Sequence, residues 1–146
     1  MNEQERSIGR WLSITYRIGQ TYLDKNLKPY NLGSGQGMFL ATLLCQDGIS
    51  QKHLATALHI DKGTTARAIK KLEIEGYIVK KIDPHDKRVN LIKVTEKAKV
   101  IQPVLKKVWE DWINILTSGF SQEERKKAAD LLQKMAQNAA RHGNSD

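Results

Sequence analysis

The sequence contains one cysteine and three prolines in 146 residues, and it has no long apolar run. Because one cysteine cannot form an internal disulfide, the chain fits a reducing compartment, and we expect a cytoplasmic protein. The longest apolar run, Met38–Cys45, is far too short to cross a bilayer. The polar start MNEQERSIGR is not followed by the apolar stretch of a signal peptide. We therefore expect neither a membrane partner nor secretion.

The usual sequence signatures of an enzyme are also absent. We find no glycine-rich phosphate loop, no nucleophile paired with a base, and no pair of carboxylates arranged for acid–base catalysis. The histidines are not joined by cysteine or carboxylate at ligand spacing, which argues against a zinc site. They are His53, His59, His85 and His142. We expect a protein that is not an enzyme and that uses no cofactor.

Positive charge is what the sequence has in excess. The formal net charge is +8, and residues 50–95 hold ten Lys and Arg against five Asp and Glu. Residues 1–49 carry one excess positive charge, and residues 96–146 carry two. A localised positive surface attracts polyanions by releasing their condensed counterions, although a surface that only keeps the protein soluble is the alternative. The middle third of the chain is therefore the candidate nucleic-acid-binding region.

Apolar periodicity divides the chain into six helices and one β-hairpin, in the order α-α-α-α-β-β-α-α. The predicted helices cover residues 6–27, 34–47, 51–60, 62–75, 96–118 and 122–139, and the predicted strands cover 78–82 and 90–94. Side chains that cap helix N-termini are predicted at Ser34, Ser50, Asp61, Thr95 and Ser121, the last in a capping box with Glu124.

Four further expectations concern single positions in these helices. In the third helix, Leu54, Ala57 and Leu58 are expected to face inward. Pro103 either kinks the fifth helix or marks its start. Gly76 is suited to end the fourth helix in a left-handed conformation. The last residues, 142–146, are expected to fray.

The fourth helix combines a core face with a cationic face. At 100° per residue, Thr65, Ala68, Ile69 and Leu72 share one side, which must be the core side. The other side is small near its start and cationic further along: Lys62, Gly63, Thr64, Ala66, Arg67, Lys70 and Lys71. Small residues let a helix lie deep in a DNA groove, where hydroxyl and guanidinium groups reach base edges. A solvated face is the alternative, but such faces usually mix charges of both signs.

The turn of the hairpin, DPHDKR at residues 83–88, carries an imidazole and two cations. Asp86 stands two residues before Arg88, so that its carboxylate can hold the guanidinium by two parallel hydrogen bonds. An arginine presented on a narrow projection suits the minor groove of DNA. The alternative is a surface ion pair of little energetic worth.

These residues carry a resemblance to a known family. The pattern S-x-x-x-L-A-x-x-L-x-I-D-x-x-x-x-x-R-x-I-x-x-L-E-x-x-G-Y-I begins at Ser50, and D-P-x-D-K-R-x-x-x-I-x-V-T begins at Asp83. Together they closely resemble the MarR family of winged helix-turn-helix transcriptional regulators, and the flanking long helices are similar as well. Two positions depart from the usual family pattern, Lys87 in place of arginine and Ala98 in place of glycine.

The resemblance implies a mainly α fold with a small β-hairpin, in which a winged helix-turn-helix lobe is joined to a helical dimerisation region. Residues 34–95 would form the lobe, and residues 6–33 and 96–142 would form the dimerisation helices. The residues agree, since these slender helices carry more apolar surface than one lobe buries, although an intramolecular core is the alternative. The side chains concerned are Trp11, Ile18, Tyr22, Trp109, Trp112, Ile113, Ile115 and Leu116.

The resemblance also implies that the homodimer regulates transcription, commonly as a repressor, by binding a pseudo-palindromic operator in double-stranded DNA. We expect the major groove to meet Lys62, Thr64, Arg67 and Lys70, a backbone phosphate to meet Ser50 and Gln51, and the minor groove to meet Lys87 and Arg88. Asp86 would orient Arg88 without touching DNA. A winged helix that binds proteins is the rival interpretation, but such domains often lack a cationic reading face.

Family members commonly respond to small phenols or aromatic carboxylates, which implies an effector pocket. The candidate lining residues are Trp11, Tyr16, Arg17 and Met38, together with Phe39. Arg17 would anchor the carboxylate, although Trp11 in the dimer core and a solvated Arg17 are the alternative. For Cys45 we expect burial, because a free cysteine usually behaves as a small hydrophobe.

Overall fold

The computed structural model describes residues 1–143 and contains the predicted order of elements with three short additions. The additions are a short helix at the N-terminus, a 3-10 turn after the first long helix, and a short strand that precedes the helix-turn-helix. The helices are α1 (Glu3–Arg6), α2 (Ile8–Leu27), a 3-10 turn (Lys28–Tyr30), α3 (Ser34–Cys45), α4 (Gln51–Leu58), α5 (Lys62–Ile74), α6 (Glu96–Leu116) and α7 (Gln122–Gly143). The strands are β1 (Ile49–Ser50), β2 (Ile78–Ile82) and β3 (Asn90–Val94).

The chain forms two compact units, Met1–Glu110 and the remainder from Asp111 onward. The first unit holds one hydrophobic core, to which α2, α3, α4, α5, the sheet and the first turns of α6 contribute. Its fully buried large side chains are Leu27, Phe39, Leu40, Leu43, Leu54, Thr65, Ile69, Leu72, Tyr77, Ile78 and Ile92. The predicted core face of the fourth helix is confirmed, because all four of its residues are buried.

The sheet has three antiparallel strands in the order β1-β3-β2. In the predicted hairpin, Ile78 faces Val94 and Ile82 faces Asn90. The sequence prediction missed β1, in which Ile49 faces Ile92, because a strand of two residues shows no alternation. This third strand ties the start of α4 to the hairpin and thereby fixes the wing beside the helix-turn-helix.

Caps explain where the helices begin and end. Ser50 Oγ accepts from His53 N at 3.1 Å, and Asp61 Oδ1 accepts from Thr64 N at 2.8 Å, as predicted. Gly76 ends α5 with φ of 78°, also as predicted. The cap predicted at Ser34 is wrong, because Ser34 is the first residue of α3 and its N–H donates instead to Asp24 Oδ1 at 2.7 Å.

The structure corrects two other single-position expectations and decides a third that the sequence left open. Ala57 is exposed, and Ala55 is the alanine of α4 that packs inward. Cys45 is exposed, because it lies at the last turn of α3 beyond the buried Leu43. Helix α6 begins at Glu96 and runs through Pro103, so the proline does not mark its start.

The second unit contains the end of α6 and all of α7. Gly119, with φ of 81°, turns the chain, and Ser121 and Glu124 form the predicted capping box with bonds of 3.1 and 2.8 Å. Helix α7 has no buried residue over Gln122–Gly143, all of which the structure describes. The expectation of a frayed tail lies outside the described residues for 144–146, while His142 and Gly143 belong to α7.

Candidate nucleic-acid interface

The start of α5 is rigid because one aspartate organises it. Asp61 closes the first turn through Thr64 N, and its backbone oxygen accepts from Thr65 Oγ1 at 2.9 Å. The hydrogen bonds from Thr64, together with the nearby charge of Arg67, lower the pKa of Asp61 below its usual value. The helix thus presents its first two turns in one conformation.

The outward face of α5 carries small side chains in its first turn and long cationic side chains further along. Lys62, Arg67 and Lys70 are exposed, and the partly exposed Thr64 accepts a hydrogen bond from Arg67 Nη2 at 3.0 Å. Gly63 stands between Asp61 and Arg67 and keeps the surface low at this turn. Small side chains in the first turn, followed by long cationic side chains, match a helix that enters a DNA groove by its N-terminal end.

The wing projects from β2 and β3 as a closed loop. Asp83 N donates to Val89 O at 2.8 Å, which closes the loop, and His85 N donates to Asp83 Oδ1 at 2.8 Å, which shapes its first half. Val89 N also donates to Asp86 O at 3.0 Å, so three hydrogen bonds act on seven residues and define the tip better than an open turn of the same length.

Arg88 is held in one pose at the tip of the wing. Its Nε donates to Asp86 Oδ1 at 3.1 Å and its second terminal nitrogen donates to Asp86 Oδ2 at 3.2 Å, while Arg88 N also donates to Oδ1. These bonds lower the pKa of Asp86, chiefly through the guanidinium. The Arg88 side chain is nevertheless 89% exposed, so its charge points into solvent. A guanidinium held in this way loses less rotamer freedom on binding an anion than the guanidinium of an unpaired arginine would.

Two open grooves join the elements that the sequence analysis treated separately. One groove of about 290 Å³ has Ser50 and Gln51 on one wall and Arg88 on the other. A second groove of about 190 Å³ lies between α4 and α5 and brings Gln51 next to Lys62. Helix α4, helix α5 and the wing therefore share one continuous concave surface.

Three residues of this surface were missed by the sequence analysis. Lys52 lines both grooves, and Lys80 and Asn90 line the groove beside Arg88. Lys52 could have been found, because it follows Ser50 and Gln51 in the same helical turn. Lys80 could not, because only the pairing of β2 with β3, and of β3 with β1, brings the strand against the start of α4.

The residues proposed for an effector pocket lie apart from this surface. Trp11 is exposed on α2 and has the Arg10 guanidinium 5.4 Å from its ring centroid. Arg17 donates to Ser13 Oγ at 2.6 Å, and Tyr16 is exposed on the same helix. Met38 is exposed on α3.

Phe39, the other residue suggested for that pocket wall, is a core residue in this chain. Within residues 1–143, no group of three or more His, Cys, Asp or Glu has the geometry to hold a metal ion. The same residues include no helix long and apolar enough to cross a membrane.

A three-stranded winged lobe with a capped, cationic second helix defines this chain as a winged helix-turn-helix protein. The family model for the MarR family matches residues 32–89. The HTH-type transcriptional regulator YybA of Bacillus subtilis, itself described as uncharacterized, is 33% identical over 97% of this chain and 91% of its own. The chain belongs to the MarR family of transcriptional regulators.

Solved structures agree with this assignment along nearly the whole chain. A MarR transcriptional regulator from Methanosarcina mazei is 43% identical, with a TM-score of 0.88 over 93% of this chain and 98% of its own. A MarR family regulator from Listeria monocytogenes, crystallised with a 26mer DNA, is 30% identical, with a TM-score of 0.90 over 97% and 92%. The mainly helical fold with a small antiparallel sheet is thus the winged helix fold of this family.

Proposed function

We propose that this protein is a homodimeric repressor of transcription that binds a pseudo-palindromic operator in double-stranded DNA. The observation that carries the proposal is the continuous cationic surface formed by α4, α5 and the wing, with Arg88 held outward by Asp86. The Listeria relative in complex with a 26mer DNA supports duplex DNA as the partner. The action is binding rather than catalysis, and the compartment is the cytoplasm.

Each part of the surface takes a separate role in this proposal. On α5, the residues that meet the major groove and the phosphates beside it are Lys62, Thr64, Arg67 and Lys70. At the start of α4, the N–H groups near Ser50 and Gln51 meet a backbone phosphate, because a helix N-terminus favours an anion. On the wing, Lys87 and Arg88 enter the adjacent minor groove, and Asp86 orients Arg88.

Dimerisation follows from apolar surface that one chain leaves in water. In the first unit, Trp11, Leu12 and Ile18 of α2 are at least two-fifths exposed. In the second unit, the exposed apolar side chains are Ile113, Ile115, Leu116, Phe120, Leu131 and Leu132. A helix of 22 residues without any buried residue is not stabilised by propensity alone, so α7 needs a partner surface. We assign residues 6–33 and 96–142 to the dimer interface and residues 34–95 to the DNA-binding lobe.

A small aromatic carboxylate or phenol is the effector that we propose. Trp11, Tyr16 and Met38 offer aromatic and thioether surface, and Arg17 offers a cation for the carboxylate. Tryptophan fluorescence during titration with salicylate tests this part. No change up to millimolar salicylate would remove it and leave the DNA-binding proposal intact.

Fluorescence anisotropy with labelled duplexes tests DNA binding. The operator is first selected from a random-sequence duplex library with the wild-type protein. Five candidate cations per protomer make ten per dimer, and if half of them neutralise phosphates, the slope of log K against log salt is about −4.5. A slope near zero on selected and random duplexes would favour the rival, a winged helix that binds proteins.

Sedimentation equilibrium tests the dimer independently of DNA. We expect the mass of two chains at micromolar concentration. A stable monomer that still binds DNA would contradict the twofold operator while leaving the reading surface in place.

A further inference from the structure

Tyr77 joins four parts of the first unit. Its N–H donates to Leu72 O at 2.9 Å at the end of α5, and its backbone oxygen accepts from Thr95 N at 3.0 Å just before α6. The residue itself leads directly into β2. Its hydroxyl donates to Tyr30 O at 2.6 Å, in the segment that connects α2 with α3. The side chain is 1% exposed and is the largest fully buried one described.

The connection between α2 and α3 is short and is held at two points. Its 3-10 turn is followed by Asn31, which takes a left-handed conformation with φ of 55°. One point is Tyr30 O, which accepts from Tyr77. The other is Asp24 Oδ1 on α2, which accepts from Ser34 N at 2.7 Å. Two identifiable hydrogen bonds therefore act with the buried Leu23 and Leu27 of α2 to fix the direction in which α2 leaves the lobe.

The Tyr77 ring has little freedom to turn away from Tyr30. Lys97 Nζ lies over the ring, 4.5 Å from its centroid, and donates to Glu75 O at 2.5 Å, so one face of the ring is covered. Burial raises the pKa of Tyr77, which keeps the hydroxyl protonated as a donor. The hydroxyl bond therefore links α2 to α5 and to the wing through one rigid residue.

We propose that Tyr77 is a positioning residue that sets the spacing between the two operator half-sites that the dimer accepts. This inference rests on the proposed function. In a twofold dimer the two α5 helices must reach half-sites about one helical turn, ~34 Å, apart. When each lobe of the dimer is held at one angle to its α2, binding of the first lobe to DNA leaves the second lobe already oriented. The second lobe then binds its half-site without a further loss of conformational entropy. A single half-site makes no such demand, because one lobe meets it at any angle.

Tyr77→Phe tests the proposal, because it keeps the ring and removes only the hydroxyl. The matched control is Tyr30→Phe, which removes a tyrosine hydroxyl at the other end of the same contact and keeps the backbone acceptor. Anisotropy is measured on the selected operator, on its isolated half-site, and on operators with one or two base pairs inserted between the half-sites. Each inserted base pair turns one half-site by about 34° about the DNA axis.

We expect Tyr77→Phe to bind the selected operator two- to tenfold more weakly, the factor that corresponds to about one neutral hydrogen bond. Its affinity for the half-site stays within about twofold of wild type, and its discrimination against the lengthened spacers decreases. Tyr30→Phe keeps the wild-type profile. A merely structural role would weaken all duplexes together and leave the spacer preference unchanged.

Asp24→Ala removes the other bond of the connection at an exposed position, and it is expected to change the spacer preference in the same direction. If Tyr77→Phe does not fold, the spacer preference of Asp24→Ala tests the inference instead. Wild-type spacer profiles for the folded variants would overturn the inference while the proposed function stands. Absence of duplex binding by the wild-type protein would instead overturn the proposed function.

Discussion

The contact between α2 and α3 is so close that a single methyl group at Gly37 should destabilise the lobe. A Cβ built on Gly37 would lie 2.6 Å from Leu27 Cδ1, far inside van der Waals contact. Leu27 is completely buried in the core, so its Cδ1 methyl group can give way only by displacing the side chains packed around it. The aromatic edge of Trp109 lies 3.9 Å from the same point and closes that side.

Two opposing effects decide the magnitude for Gly37→Ala. Replacing glycine by alanine in a helix contributes up to about 1 kcal/mol in favour of folding. Inserting a methyl group into a well-packed core costs about 1–3 kcal/mol. The net free energy of unfolding should therefore fall by roughly 0–2 kcal/mol relative to wild type.

Gly35→Ala is the matched control, because it lies on the same helix and its Cβ would meet nothing within 4 Å. The helix-propensity effect is similar in the two variants, so their difference isolates the contact with Leu27. We expect Gly37→Ala to be about 1–3 kcal/mol less stable than Gly35→Ala. At roughly 3–4 °C per kcal/mol for a chain of this size, the melting temperatures should differ by about 3–12 °C.

The measurement is urea or thermal unfolding at one fixed protomer concentration, because a dimer's melting temperature depends on concentration. A Gly37→Ala protein as stable as Gly35→Ala would refute the close approach of the two helices. It would also weaken the case that α2 has a fixed direction relative to the lobe.

Three further predictions concern the DNA-binding surface. Arg88→Ala should weaken operator binding by ~1–3 kcal/mol, and Arg88→Lys should recover only part of it because lysine cannot pair with Asp86 through two parallel bonds; unchanged anisotropy curves for Arg88→Ala would remove the wing from the mechanism. Lys70→Ala should reduce the salt slope by about 1.8 units between 50 and 200 mM salt, because the dimer loses one phosphate contact in each protomer, and an identical slope would exclude a phosphate contact there. Because the pKa of Asp61 is lowered from 3.8 by its bonds to Thr64, its stabilising effect is complete above that value and is lost as the pH falls through the lowered pKa. The urea midpoint of wild type should therefore fall more steeply below pH 4 than that of Asp61→Asn, which still caps the helix. An equal fall of the two urea midpoints below pH 4 would contradict this.

Much of the fold was readable from the sequence because its signals are local. The caps at Ser50 and Asp61, the left-handed Gly76 and the capping box at Ser121 each act within one helical turn, so the residue types alone define them. The core face of α5 follows from a period of 3.6 residues. The pairing of Asp86 with Arg88 spans two residues, and the structure contains it.

The predictions from sequence that were wrong concern positions whose capping or burial is determined by other segments of the chain. Ser34 is the first residue of α3 and not its cap, because the extended residue before the helix is Gly33, and Asp24, ten residues earlier, accepts the free N–H of Ser34. Ala57 is solvent-exposed because the packing of α4 against α5 turns Ala55 inward instead, which a short helix with alanine at both positions does not reveal. Cys45 is exposed because it is the last residue of α3 and lies beyond the buried Leu43, where no other segment of the core covers it.

By itself, the sequence determined the kinds of elements, their order, the caps and the excess of cations in residues 50–95, since all of these depend on neighbours within a few residues. Only the tertiary structure decided that α4, α5 and the wing form one surface, that Lys80 belongs to it, and that Tyr77 reaches Tyr30 across 47 residues. The physical reason is that such contacts depend on strand pairing and core packing, which bring together segments whose separation along the chain carries no periodic signal.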